Sequence, residues 1–66
     1  MDVQAELQAE LEALEQAITD AEERKRDFVK ENPNGAGDKK ERTRFYTDVE
    51  RARKALREFK VRNQLI

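Results

Sequence analysis

Fifteen carboxylates are the side chains here best equipped for chemistry, because histidine and cysteine are absent and no serine occurs. Without them the usual nucleophiles are missing, as is the side chain that titrates unperturbed near neutral pH. Two carboxylates can still serve as general acid and base, but only in a cleft that pushes their pKa values apart. A metal held between helices calls for inward-facing carboxylates and a Glu-x-x-His partner. Here the acidic residues of positions 1–23 fall mostly off the apolar positions and no histidine exists. Gly35-Ala36-Gly37 lacks the further glycine and the preceding strand of a phosphate-cradling loop, and reads as a turn. The expectation is a protein that is not an enzyme, with no catalytic residue, no metal site and no cofactor.

Binding is the chemistry that remains. Phe28, Val29, Phe45 and Tyr46 cluster around the centre of the sequence. About them lie Arg24, Lys25, Arg26, Lys30, Lys39, Lys40, Arg42 and Arg44, offset by Asp27, Glu31, Asp38, Glu41 and Asp48, for a local net charge of +3. Apolar anchors in a polar surround are the composition of a protein contact patch. Aromatic rings beside cations also stack on and neutralise single-stranded nucleic acid, although a balance of only +3 suits a solvated helical face as well. The residues expected to meet a partner are Phe28, Val29, Arg42, Phe45 and Tyr46.

The elements that position these residues follow from periodicity. Leu7, Leu11, Leu14, Ile18, Ala21, Lys25 and Phe28 step by four and three residues, the signature of a heptad seam. Proline disfavours α geometry in the residue before it, so Asn32-Pro33 ends the pattern, and Asn34-Gly35-Ala36-Gly37 forms a turn. Asp38 followed by Glu41 has the form of a capping box. A second seam then runs through Phe45, Val49, Ala52, Leu56, Phe59, Asn63 and Ile66. The expected organisation is one domain over 1–66, with helix 2–31, loop 32–38 and helix 39–64.

Two such stripes joined by a short loop must fold back antiparallel. A turn centred on Gly35 would face Leu7 with Asn63, Leu11 with Phe59, Leu14 with Leu56, Ile18 with Ala52 and Ala21 with Val49. A slip of one heptad would instead set Ala21 on Leu56 and Phe28 on Val49. Charge favours the same folding back, since residues 1–23 carry eight acidic groups and no basic one, while residues 49–66 carry a net +4. Such exposed pairs set orientation more than stability.

With 36% hydrophobic and 44% charged residues, the 66-residue chain suits helical pairing better than a globule. A lone helix pair has one seam in which to bury apolar surface, so self-association is the expected remedy. Ala5, Ala9, Ala13 and Ala17 form a ridge that continues to Ala21, a smooth surface on which a second hairpin can pack. Lys25 and Asn63 are polar seam residues, of the kind that set register and partner number at a cost in stability.

The fold class is therefore expected to be all-α: an antiparallel two-helix coiled-coil hairpin assembling as a homodimeric four-helix arrangement. A short start without the flanks of a secretory signal, and no long apolar run, place it in the cytoplasm and off the membrane. The leading function is a small protein–protein interaction module, an adaptor or inhibitor such as phages and other mobile elements encode, that docks on a larger protein. The alternative is a nucleic-acid-binding hairpin dimer similar in architecture to the Rop-like plasmid regulators.

Overall fold

A computed structural model describes residues 3–65. Helix α1 spans Val3–Glu31, a single 3-10 turn spans Pro33–Gly35, and helix α2 spans Lys39–Arg62. Helix α1 contains neither glycine nor proline and is rich in alanine, leucine and glutamate, the strong helix formers. Side chains four apart reinforce it, with Gln8 Nε2 donating to Glu12 Oε1 at 3.1 Å and Gln16 Nε2 to Asp20 Oδ1 at 3.0 Å. Charges complement the dipole of each helix: Glu6 and Glu41 in the first turns, Lys30, Lys60 and Arg62 in the last.

Both helices stop by the same device. The backbone N–H and the side-chain amide of Asn32 both donate to the Phe28 carbonyl, each at 2.9 Å. Asn63 does the same to the Phe59 carbonyl, at 3.1 and 2.9 Å. Beyond Asn63, Gln64 takes a φ of 56°, and the N–H groups of Leu65 and Gln64 return to the carbonyls of Lys60 and Val61. That left-handed closure satisfies the carbonyls a helix end leaves open. It also ends α2 at Arg62, two residues before the boundary anticipated at 64. Asn63, anticipated as a register-setting seam residue, spends its amide on its own helix. At the other end of α2, Asp38 Oδ1 accepts from the Lys40 N–H at 2.8 Å, an N-cap that supplies one of the open donors.

The register differs from both anticipated pairings. Phe28 lies against Phe45, with ring centroids 5.0 Å apart, and Ile18 and Leu56 wall one groove. The cause lies in the loop. Asn34, at φ 60° and ψ 33°, turns left-handed inside the Pro33–Gly35 turn, and Gly35 and Gly37 take positive φ after it. The hairpin therefore pivots about two residues beyond Gly35, half a heptad from either expectation. Gly37 has a φ of +93°, and a Cβ there would sit 2.7 Å from Asn32 Oδ1, so the tight reversal depends on glycine.

Ala21, Phe28, Val49 and Phe59 are buried, while Leu7, Leu11, Leu14, Ile18 and Leu56 stay partly open to solvent. One facing helix cannot cover a seam residue on all sides. The hairpin measures 49 × 16 × 15 Å. Its accessible surface of 5450 Å² exceeds the roughly 4,400 Å² of a compact monomer of its mass.

Candidate interaction surface

The loop-end residues separate by depth. Phe28 is buried, packed at a tilt of 35° against Phe45 and approached by the Arg42 guanidinium at 6.0 Å, so these three knit the hairpin together. Arg42 also donates from Nη2 to the Ala36 carbonyl, which ties the second helix to the reversal. Of the five residues expected to meet a partner, Val29 and Tyr46 point outward, 43% and 46% exposed. Both phenylalanines were read as seam positions as well as partner contacts, and the structure gives them the seam role by facing one with the other.

Val29 and Tyr46 line one groove with Glu22, Lys25 and Arg26, and a second with Asn32, Asn34, Gly35 and Arg42. The Lys25 ammonium lies 4.9 Å from the centre of the Tyr46 ring. This explains how a lysine occupies a seam position: its stem covers apolar surface and its charge rests on an aromatic face at the edge.

Further along the same side, Ile18 and Leu56 floor an apolar groove rimmed by Arg53, Arg57 and Lys60. Arg53 reaches across the hairpin to Glu22 at 3.2 Å, and to Glu50 of its own helix at 3.6 Å. Since Glu22 lines the tyrosine groove and Arg53 the leucine groove, the two form one continuous face. Sequence reasoning spent Ile18 and Leu56 on filling the seam and so missed this groove. The available signal was their position beside Arg53 and Lys60, which flank the seam.

Ala5, Ala9, Ala13 and Ala17 are all exposed. They follow the inclined row of every fourth residue, which enters the seam only at buried Ala21. Among the described residues no three acidic side chains gather as a group able to hold a metal ion. Nor, among those residues, is any helix long and apolar enough to cross a membrane. No protein-family model, curated protein or solved structure matches this chain.

Proposed function

We propose that this hairpin is a non-enzymatic protein-interaction module of the adaptor or inhibitor type, which binds another protein chain through the face carrying Val29 and Tyr46. The observation that supports it is the exposure of these two apolar side chains, side by side and ringed by Lys25, Arg26 and Arg42. A half-exposed tyrosine among cations presents a rigid apolar surface with a polar tip, the residue type most often found to dominate binding energy. Its surroundings suit an acidic partner surface. Because neither side chain is part of the buried seam, Val29→Ser with Tyr46→Ala should leave the helices intact. In a pull-down from cells of origin, the double variant should lose partners that the wild type retains, and equal recovery would refute the reading.

The setting of the Tyr46 ring among Lys25, Arg26 and Arg42 also supports a second reading, nucleic-acid binding by a Rop-like dimer. A gel shift with bulk RNA and DNA tests it. Binding through phosphates must weaken steeply between low and moderate salt, and no retardation at low salt removes this alternative.

A further inference from the structure

Two grooves open on the same face of the hairpin. Val29 and Tyr46 border the first with Glu22, Lys25 and Arg26, and Ile18 and Leu56 floor the second between Arg53, Arg57 and Lys60. Together they are lined by five cations and one carboxylate, and that carboxylate, Glu22, is already tied to Arg53 at 3.2 Å. Glu50, which also approaches Arg53, lines neither groove. The groove on the other side of the seam has the opposite balance, with Phe28 and Phe45 beside one cation, Arg24, and two carboxylates, Asp27 and Glu31. The chain as a whole carries −1, so the positive rim is a property of this face and not of the molecule. Depth divides by chemistry as well. Ile18 and Leu56 are half-buried, whereas Arg53 and Arg57 stand exposed beside them.

We infer that this face seats one amphipathic α-helix of another protein, apolar on the side it buries and acidic along the flanks of that stripe, laid along the hairpin as a third helix. The inference rests on the reading that the Val29–Tyr46 face binds protein, and it names the partner's chemistry. An apolar floor set below a cationic rim is reached by a convex rod. A helix about 10–12 Å across is such a rod, and apolar side chains at i, i+3, i+4 and i+7 are the form in which helices enter grooves. A flat lipid surface would rest on the rim without touching the floor. A nucleic-acid backbone would neutralise the cations and leave Ile18 and Leu56 uncovered. From Tyr46 to Lys60 α2 rises about 21 Å, so a partner segment of about four turns meets both grooves. Its carboxylates then lie by Arg26 at one end and by Arg57 and Lys60 at the other. Exposed pairs of this kind add little each, so they choose the partner more than they hold it.

The probes are two labelled peptides of three heptads, with leucine at both seam positions of each heptad and either glutamate or lysine along the flanks. Fluorescence anisotropy with the full chain should find the glutamate peptide bound at least about tenfold more tightly, and equal affinities or the reverse order would overturn the inference. Arg57→Glu with Lys60→Glu lies on the rim, outside the buried set, and should keep the helical circular dichroism of wild type. That pair should weaken the glutamate peptide about tenfold and strengthen the lysine one. Arg26→Glu repeats the test at the tyrosine groove, and Arg24→Glu, in the other groove, is the control expected to change binding less than about twofold. A control that weakens binding as much as the rim variants would put the site elsewhere and overturn the inference. If neither peptide binds, yet Val29→Ser with Tyr46→Ala still costs captured partners, the binding reading survives and the helical occupant is wrong. Phosphatidylserine vesicles and a single-stranded oligonucleotide complete the set. Retention of either by wild type but not by the rim variants, with no peptide bound, would overturn the inference in favour of that surface.

Discussion

Replacing Gly37 with alanine tests the account of the reversal most directly. Gly37 sits at φ +93°, where an L side chain costs about 1–2 kcal/mol of backbone strain. The new Cβ would also meet Asn32, with Oδ1 at 2.7 Å, Cγ at 2.8 Å and Cβ at 3.1 Å. Asn32 must then swing away and give up its side-chain bond to the Phe28 carbonyl, a further loss of about 0.5–1.5 kcal/mol. Gly37→Ala should therefore cost roughly 1.5–3.5 kcal/mol, from a total stability of about 3–10 kcal/mol for a chain this size. Gly35→Ala is the matched control. Gly35 has a similar φ of +78°, yet its Cβ would find only Arg42 Nη1 at an ordinary 3.6 Å, so about 1–2 kcal/mol of strain is the whole effect. Urea unfolding followed by far-UV circular dichroism measures both, at one fixed protein concentration because self-association would shift the midpoint. The Asn32→Ala/Gly37→Ala double variant completes the cycle. With the asparagine already gone, the second substitution should cost only the backbone strain, so the two effects should fall short of additive. Equal costs at both glycines, together with strict additivity at 32 and 37, would refute the packing of Asn32 on Gly37.

Phe59→Ala, at a side chain only 3% exposed, should destabilise by about 3–5 kcal/mol in the same titration, whereas Val61→Ala, at an exposed neighbour, should stay within about 0.5 kcal/mol. Asp38→Ala removes the acceptor of the Lys40 N–H and should cost about 0.5–2 kcal/mol, with Asp38→Asn retaining most of the cap. Arg53→Ala breaks its pairs with Glu22 and Glu50, but both partners are solvent-exposed in part, so the loss should be under about 1 kcal/mol and shrink with added salt.

The hairpin was legible because its information is local and periodic. Leucines and isoleucine at four-and-three spacing describe a helix face whatever it faces, and Pro33 stops a helix whatever follows. Register was not legible in the same way. A seam that steps evenly looks alike after a slide, and the alanines at 21 and 52 accept either large or small neighbours. What decided the pairing was the left-handed conformation of Asn34 and the reversal at Gly37, backbone details that residue types only permit. The candidate surface inherited that error. Phe28 and Phe45 seemed to lie beyond the last matched layer, but the observed slide made them a layer of their own. Tyr46 and Val29, one step beside the seam, stay outside it under every slide considered, which is why they remain as the exposed pair.

The twin asparagine stops bear on how this chain comes apart. A helix end normally frays one turn at a time, since its last carbonyls are held by water and little else. Here the carbonyls that receive Asn32 and Asn63 belong to Phe28 and Phe59, two of the buried side chains. Unwinding either terminal turn loosens the backbone of a residue the interior depends on, and withdrawing either ring frees its terminator. Fraying and core opening are thereby joined into one cooperative event at each end, so amide exchange in these last turns should follow the opening of the whole hairpin, not that of a loose terminus.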